Sequence, residues 1–360
     1  MNHGGSETMV MNYYRKIDRS KVQFDFLVHR QERGAYDDEI ERLGGRIYRA
    51  MPIYPQNFNS YKKFLKDFFK EHNEYKIIHS HMSELGYFAF KEAYNQNIPI
   101  RICHAHSSPK EFDFKMIIRN YFKLKIRNYT THMFMCGYDS GCWLYGKKNE
   151  SNFILQKNAI DSHKYIYNGY KSKSIKEEYG LEDKFVIGHV GNFKTAKNHS
   201  FIIDIFYEIN KMNKDAMLVL VGNGVLEEKI RLKIKKLNLE DKVMFLGIRN
   251  DIENVMQLFD VFLFPSLFEG LGIALIEAQA SGLRCFTSLD VVPKESKITD
   301  LVEYISLDKD QKYWADRIMI YSTGYLRENT QNKILESGYD INDASKWLQE
   351  FYLNEYDNSR

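Results

Sequence analysis

Apolar and polar positions alternate in blocks along the second half of the chain. Amphipathic segments with apolar residues at helical spacing cover His199–Met212, Glu227–Leu237 and Ile252–Phe259. Between them lie nearly continuous apolar runs of strand length: Phe185–Val190, Ala216–Val221, Val243–Leu246, Val261–Phe264 and Arg284–Ser288. Buried strands alternating with amphipathic helices predict an α/β fold with a parallel, doubly wound sheet.

The first half repeats this pattern less regularly. Its strand candidates are Phe24–Val28, Arg46–Tyr48, Lys76–Ser80, Ile100–His104, His132–Cys136 and Phe153–Leu155. A polar segment that opens at Asn158 predicts a hinge, and Ala344–Leu353 predicts an amphipathic helix. We therefore expect two Rossmann-like domains facing each other across a cleft, residues 1–160 and 161–340. The terminal helix in 341–360 is expected to pack back toward the first domain.

The start of the chain departs from this scheme. Gly4-Gly5-Ser6-Glu7 is typical of a glycine-rich turn entering a helix, with Ser6 as the expected N-cap. In a doubly wound domain such a turn follows a strand, but only three residues precede it here. The sequence predicts that the first strand is missing, through either a truncated chain or a gap in the sheet.

Composition excludes several classes of protein. The 360 residues are 44% hydrophobic and 28% charged, with 21 glycines and 6 prolines, which excludes disordered and collagen-like chains. No apolar run approaches the length of a membrane-spanning helix, and the N-terminus lacks a signal-peptide pattern. The four cysteines form no Cys-x-x-Cys pair, so we expect no disulfide framework. A cytoplasmic protein is predicted.

Charge is distributed unevenly beneath a net value of +3. Residues 1–150 hold 24 basic against 17 acidic side chains, whereas residues 151–360 hold 27 against 31. A basic half joined to a mildly acidic half suggests contact with an anionic surface or ligand, and chance scatter of surface lysines is the alternative.

The strongest chemical signal lies in Phe264–Ala278, where a strand, a loop and a helix follow one another. Glu277 is the one charged residue between Gly270 and Leu283, so its carboxylate needs strong donors, such as the hydroxyls of a ribose. Gly270 and Gly272 let backbone N–H groups approach a phosphate at the helix start. The alternative is a rim-exposed glutamate beside an ordinary turn.

A second loop, Gly191–His199, follows the strand Phe185–Val190 and carries lysines at the start of a helix. A lysine there opposes the helix dipole unless an anion is bound, which predicts a diphosphate clamp; a solvated surface turn is the alternative. Gly222-Asn223-Gly224 forms a third glycine turn that is not a full dinucleotide fingerprint.

These segments together resemble glycosyltransferase family 4, retaining nucleotide-sugar enzymes of GT-B fold. The resemblance rests on Glu269-x7-Glu277, Lys197-Asn198-His199, Val221-Gly222-Asn223-Gly224, Phe245-Leu246-Gly247-Ile248-Arg249, Gly4-Gly5-Ser6-Glu7 and Asn158-Ala159-Ile160-Asp161. It covers nearly the whole chain and is strongest for bacterial members that build capsule or exopolysaccharide.

The resemblance implies roles for individual residues. Glu277 would bind the ribose hydroxyls, and Lys197 would neutralise the departing diphosphate. Glu269 would hold the donor sugar and phosphate together with the backbone of Gly270, Leu271 and Gly272. The turn at Gly247, Ile248 and Arg249 would flank the base, and Gly5 would approach the diphosphate from the first domain.

Two positions depart from the family pattern. Asn192 stands where the family usually has a basic residue, which removes one charge from the clamp, and Lys194 is the expected substitute. The hinge segment has Ala159 where the family has glycine.

Histidines end two strand candidates in the first half, as His79-Ser80-His81 and His104-Ala105-His106. Strand alternation places both members of a pair on one face, so the pattern allows either a metal site or polar strand ends that bond to backbone. No carboxylate pair completes such a site, and we expect no metal and no cofactor beyond the nucleotide-sugar co-substrate. By resemblance, His106 would contact the transferred sugar, with His104 as the alternative.

The segment Lys110–Arg127 combines aromatic and aliphatic residues with six basic ones, and Tyr61–Lys70 has a similar character. Such segments suit the interface of an anionic membrane, and helices with solvated lysines over a buried stripe are the alternative. We expect peripheral contact with the inner face of the cell membrane. Without a nucleic-acid motif, nucleic acid is not an expected partner.

The sequence therefore predicts a retaining glycosyltransferase that passes a sugar from a nucleotide-sugar, expected to be a UDP-sugar, to a growing, lipid-linked glycan. A catalytically impaired nucleotide-sugar-binding protein is the alternative from another class, and a nucleotide-sugar epimerase is the alternative among enzymes. Fold alone does not decide between these functions.

Overall fold

Two units make up the chain in the computed structural model, which describes residues 1, 4–106 and 115–360. Unit 1 comprises Met1–Ile160 with Gly338–Arg360, and unit 2 comprises Asp161–Ser337. Each is an α/β unit with parallel strands.

Unit 1 places its helices and strands in alternation. Its elements up to the hinge are α1 (Gly5–Lys16), β1 (Phe26–Val28), α2 (Asp37–Arg42), β2 (Ile47–Arg49), α3 (Phe58–Glu71), β3 (Ile77–Ser80), α4 (Tyr87–Asn95), β4 (Ile100–Ala105), α5 (Lys115–Ile126), β5 (His132–Met135), α6 (Tyr138–Tyr145) and β6 (Phe153–Leu155).

The strands of unit 1 form two separate parallel ladders among the described residues. One pairs β1 with β2, and the other has the order β3-β4-β5-β6. The described part of the chain has no strand before α1. The sequence predicted Ser6 as the N-cap, and this prediction is wrong: the helix begins at Gly5 and its N-cap is Gly4. The Ser6 hydroxyl donates a hydrogen bond to the Glu7 carboxylate.

Unit 2 is the more regular of the two. Its elements are α7 (Ser162–Tyr165), α8 (Gly169–Glu178), β7 (Phe185–Val190), α9 (His199–Met212), β8 (Ala216–Val221), α10 (Glu227–Lys236), β9 (Val243–Gly247), α11 (Ile252–Leu258), β10 (Val261–Phe264), α12 (Ile273–Ala280), β11 (Arg284–Ser288), β12 (Val302–Ile305), α13 (Gln311–Met319) and α14 (Gln331–Glu336).

The sheet of unit 2 has the strand order β12-β11-β10-β7-β8-β9, and every described pair is parallel. The predicted doubly wound α/β sheet is confirmed. After β7 the chain runs outward through β8 and β9, then returns to add β10 on the other side of β7. The boundary between β7 and β10 is therefore the topological switch point, where ligands of such sheets bind.

The terminal helix, α15 (Ile341–Asn358), belongs to unit 1 and packs against α1. Its Leu348 and Tyr352 are buried in one core cluster with Met9 and Tyr13 of α1. Asp340 caps the helix by accepting a hydrogen bond from the Asn342 amide, so the helix begins earlier than the apolar pattern indicated. Within the described residues, no helix is both long and apolar enough to span a bilayer.

Candidate functional site

The loops that follow β7 and β10 are joined at the switch point of unit 2. The Leu267 amide donates to the Ala196 carbonyl over 2.8 Å, and the Asn198 side-chain amide donates to the Pro265 carbonyl over 3.1 Å. Asn198 adopts a left-handed conformation, with φ 54°, between the short 3₁₀ turn Thr195–Lys197 and α9. These contacts fix Lys197 of one loop beside Glu269 of the other.

Lys197 and Glu269 form an ion pair in which Nζ lies 2.5 Å from Oε1. The Ser266 hydroxyl donates to the same oxygen over 2.7 Å, and Nζ lies 4.5 Å from the centre of the Phe264 ring. The side chains are 21% and 9% exposed, so the pair is largely withdrawn from water. The anion that the sequence required beside Lys197 is thus present within the chain, as the carboxylate of Glu269.

The start of α12 supplies the backbone part of the site. Gly272 is the N-cap and has φ 76°, a conformation that favours glycine. Leu271 is buried, and its carbonyl accepts a hydrogen bond from the Ser296 hydroxyl, while Gly270 is partly buried. The positive end of the α12 dipole therefore lies next to the Lys197–Glu269 pair.

Glu277 lies on α12 and is held by a phenol. The Tyr165 hydroxyl of α7 donates to its Oε1 over 2.7 Å. Burial raises the pKa of Glu277 to about 7, the charge of Glu253 acts in the same direction, and the Tyr165 hydrogen bond opposes them. The sequence did not identify Tyr165, because no motif links a tyrosine near the hinge to a helix more than a hundred residues later.

The loops after β7 and β8 pack backbone against backbone. A Cβ at Gly222 would lie 2.3 Å from the Gly191 carbonyl oxygen, and one at Gly224 would lie 2.7 Å from the Phe193 carbonyl oxygen. Phe193, in the loop after β7, is fully buried. Its sequence neighbours, the predicted donor-binding residues Asn192 and Lys194, are exposed.

The three residues predicted to flank a base lie at the end of β9 and in the turn that follows it. Gly247 has φ 64°, and the Ile248 side chain is 52% exposed. Arg249 donates from Nε and from one terminal nitrogen to the two carboxylate oxygens of Asp251, each over 2.8 Å. The hydrogen bond from Asp251 raises the pKa of Arg249. The structure therefore holds the Arg249 guanidinium in a bidentate ion pair.

The two remaining predicted residues, His106 and Gly5, belong to unit 1. His106 directly follows β4, and its Nε2 lies 2.8 Å from Nδ1 of His81. Burial lowers the pKa of His106 to about 4, so its ring is neutral at pH 7. His104, the alternative, is fully buried. Gly5 is exposed at the first turn of α1; Ser107, which follows His106, lies outside the described residues.

Residues 171–334 match the family model for glycosyl transferases group 1. EpsF of Bacillus subtilis (strain 168), named as a glycosyltransferase, is 35% identical over 349 residues, covering 94% of this chain and 91% of EpsF. The capsular polysaccharide biosynthesis glycosyltransferase CapH of Staphylococcus aureus is 25% identical, and the match covers 98% of this chain and 96% of CapH. The Escherichia coli UDP-Gal:alpha-D-GlcNAc-diphosphoundecaprenol alpha-1,3-galactosyltransferase is 26% identical, covering 74% and 72%.

Solved structures show the same fold. The crystal structure of Anabaena HepE in complex with UDP and glucose superposes with a TM-score of 0.80 at 15% identity, covering 97% of this chain and 96% of HepE. The group 1 match lies within unit 2, while the likeness to EpsF extends over nearly the whole chain. The chain therefore belongs to the group 1 glycosyl transferases and is a glycosyltransferase of GT-B fold.

Proposed function

We propose that this enzyme transfers a sugar, with retention of its anomeric configuration, from a UDP-sugar to a growing, lipid-linked glycan in capsule or exopolysaccharide synthesis. The names of CapH and of the E. coli galactosyltransferase support the pathway, the uridine nucleotide and the undecaprenol-diphosphate-linked acceptor. The UDP in the HepE crystal structure agrees with the same donor nucleotide.

The observation that carries the proposal is the Lys197–Glu269 pair at the switch point, beside the positive end of α12. A UDP-sugar brings a diphosphate, whose charge grows as the sugar leaves. The Lys197 ammonium and the dipole of α12 both stabilise that charge, and a fixed donor in a site shielded from water is worth more than one in solvent. Glu269 holds Lys197 in place before the diphosphate arrives.

Glu277 is assigned to the ribose. Among the described residues its carboxylate has one hydrogen-bond donor, the Tyr165 phenol, and burial raises its pKa to about 7. Two vicinal hydroxyls would supply the further donors that an ionised carboxylate needs in this position. Tyr165 then acts as a positioning residue, because its hydrogen bond sets the orientation of the Glu277 carboxyl group.

Retention follows from attack on the face from which the diphosphate leaves. The acceptor hydroxyl forms a bond to the anomeric carbon as the bond from that carbon to the diphosphate oxygen breaks, and the hydroxyl proton passes to the departing phosphate. No protein nucleophile is required, so catalysis rests on positioning and on charge stabilisation. His106, with its neutral ring, is assigned to contact the transferred sugar.

Transfer itself is tested with the full chain, a panel of UDP-sugars and an undecaprenyl-diphosphate-linked saccharide. The proposal predicts a lengthened glycan with the anomeric configuration of the donor, identified by mass spectrometry and NMR. Binding of UDP without transfer would indicate a nucleotide-sugar-binding protein, and an altered sugar formed without acceptor would indicate an epimerase. Either result contradicts the proposed transfer.

A peripheral membrane contact through α5 is the second part of the proposal. Phe122 and Ile126 are buried on one side of this helix, whereas Ile117, Tyr121 and Leu124 are 64%, 53% and 60% exposed at a spacing that places them on another face. Lys125 accompanies that face, with Nζ 5.7 Å from the centre of the Tyr121 ring, whereas Arg119 pairs with Glu84 and Arg127 donates to the Leu144 carbonyl. Apolar residues beside basic ones fit the interface of an anionic membrane, where a lipid-linked acceptor is found.

A further inference from the structure

Four imidazole rings meet at the carboxyl ends of β3 and β4 in unit 1. His79 and His81 stack with ring centres 4.4 Å apart, and His104 and His106 stack with centres 4.2 Å apart. The two pairs are in contact, because His104 lies 5.4 Å from His79 and 5.2 Å from His81. Strand alternation and the parallel pairing of β3 with β4 produce this arrangement.

The hydrogen bonds within this histidine cluster leave it incomplete. His79 Nδ1 lies 2.6 Å from the Tyr352 hydroxyl, and His79 Nε2 lies 3.3 Å from His104 Nδ1. His81 Nδ1 pairs with His106 over 2.8 Å. In the part of the chain that the structure describes, Nε2 of the fully buried His104 has no hydrogen-bond partner. The hydrogen bonds of the cluster therefore use His104 Nδ1 and leave its Nε2 without a described partner.

Protonation does not occupy the ring nitrogens of these histidines at neutral pH. Burial lowers the pKa of His79 to about 3, and it lowers the pKa values of His81 and His104 well below their usual range. All three rings are therefore neutral, and each offers a lone pair. A neutral imidazole is the form that binds zinc and related first-row metals.

We propose that His79, His81 and His104 form a binding site for a divalent transition metal of the zinc class. One ring nitrogen from each of the three lies within 4.8 Å of the others. The 3.3 Å between His79 Nε2 and His104 Nδ1 is close to the edge of a tetrahedron with zinc–nitrogen bonds, about 3.4 Å.

Tyr352 fits the outer shell of such a site. A histidine that binds a metal through one nitrogen usually donates its other N–H to an oxygen, and His79 Nδ1 faces the Tyr352 hydroxyl in this way. His81 also contacts His106, the residue assigned to the transferred sugar. Metal binding would therefore restrain His106 without requiring it as a ligand. The proposal stands on unit 1 alone and is independent of the proposed donor site in unit 2.

The test is a zinc titration of the full-length, chelator-treated protein against a chromophoric competitor. We expect one zinc ion per chain, and an affinity at least about tenfold weaker in His81→Asn and in His104→Asn. His163→Asn, in unit 2, is the matched control and should bind zinc as the unchanged protein does. Thermal unfolding without metal establishes that each variant is folded.

Cobalt(II) gives a second measurement that needs no variant. The proposal predicts the intense visible absorption of a tetrahedral, nitrogen-ligated ion, without the charge-transfer band of a thiolate. Weak octahedral absorption, a thiolate band, no stoichiometric zinc binding, or equal affinity in His104→Asn and His163→Asn would each overturn the assigned site.

Discussion

At the scale of single residues, unit 2 holds two carboxylates in contrasting ways. Glu269 is paired with a lysine ammonium and also accepts from the Ser266 hydroxyl, so its charge is compensated within the chain. Glu277 has a neutral phenol as its donor, and burial raises its pKa to about 7. The first arrangement fixes a cation, whereas the second leaves a carboxylate that gains from further donors.

That contrast predicts a coupling between nucleotide binding and proton release. In the free protein Glu277 binds a proton up to about pH 7, above its unfolded value near 4.5, so its contribution to stability is present at pH 4.5 and is lost as the pH rises through 7. Ribose hydroxyls favour the ionised form and lower this pKa. At pH 6, binding of UDP should release about one proton, with affinity rising toward pH 7.

Calorimetry in two buffers of different ionisation enthalpy measures the released proton. Glu277→Gln is the matched control, because it keeps the side-chain shape without a titrating group, and it should release about one proton fewer than the unchanged protein on binding UDP. Equal release in the unchanged protein and in Glu277→Gln would show that another group titrates on binding.

The Lys197–Glu269 pair makes a prediction that separates stability from catalysis. Lys197→Met leaves a largely buried carboxylate without its cation and should lower the free energy of unfolding by about 3 kcal/mol. The double variant Lys197→Met/Glu269→Gln removes both charges and should recover much of that loss. Turnover should fall about 100-fold or more in both, because the leaving-group cation is absent.

Glu269→Gln alone keeps Lys197 and should lose less turnover than either variant without the lysine. Urea unfolding and initial transfer rates measure the two quantities. Full activity in the stable double variant would contradict the role given to Lys197.

Local sequence predicted the charged residues of this site better than their partners. Lys197 and Glu277 were identified because charge in a dipole-opposed or apolar setting requires a counterpart, and Glu269 through the resemblance to glycosyltransferase family 4. That Lys197 and Glu269 pair with each other depends on the strand order, which places β7 beside β10. Tyr165 carried no local signal, because its role arises only where α7 packs on α12.

At the scale of elements, the close approach of the β7 and β8 loops predicts a large effect of a single methyl group. Gly222→Ala places Cβ 2.3 Å from the Gly191 carbonyl oxygen and forces alanine to adopt φ 128°. Gly324→Ala is the control, since Gly324 has φ 88° but open space around its Cβ position.

Both alanine variants incur a backbone cost of about 1–2 kcal/mol, and Gly222→Ala should lose a further 1–3 kcal/mol, about the usual cost of overpacking. Denaturant unfolding compares the two. Equal loss in both variants would mean that the β7 and β8 loops move apart easily, contrary to the packing described.

The exposed face of α5 predicts membrane binding that depends on its apolar residues. Leu124→Asp should reduce sedimentation with anionic liposomes severalfold, because it places a negative charge among apolar residues that insert at the interface. Leu232→Asp, on α10 of unit 2, is a matched control, since Leu232 is 61% exposed and Leu124 is 60% exposed. Binding that ignores lipid charge, or equal loss in both variants, would contradict the assigned surface.

Element boundaries followed the strength of the hydrophobic pattern. The strands β7, β8, β10 and β11 and the helix α9 have the predicted limits. All except β11, which contains Arg284, Thr287 and Ser288, are strongly apolar runs or a regular amphipathic segment. The edge strand β12 was missed, since Val302-Glu303-Tyr304-Ile305 mixes polar and apolar residues at the end of the sheet. Ser6 was misplaced because the helix begins at Gly5, with Gly4 as its N-cap, although serine is the more favoured capping residue.

At the scale of the whole molecule, the proposed residues are divided between the two units. Lys197, Glu269 and Glu277 lie in unit 2, within the match to the group 1 family model, whereas Gly5 and His106 lie in unit 1. Nucleotide binding therefore tests the assignment of unit 2, and sugar transfer tests the assignment of the whole chain. The alternating pattern predicted the α/β architecture of both units. The interruption between β1–β2 and β3–β6 agrees with the gap in the sheet that was one of the two alternatives predicted for the first unit.

The central claim is that Glu277 and the neighbouring loops of unit 2 bind a uridine nucleotide. Thermal unfolding of the full chain with UDP, GDP or ADP tests it most directly, with Glu277→Ala as the control variant. At about 100 times its dissociation constant, a ligand of the folded state adds about 2.7 kcal/mol. We predict that UDP raises the unfolding midpoint and that Glu277→Ala, folded without nucleotide, abolishes the rise. No rise with UDP, or an equal rise in Glu277→Ala, would contradict the account.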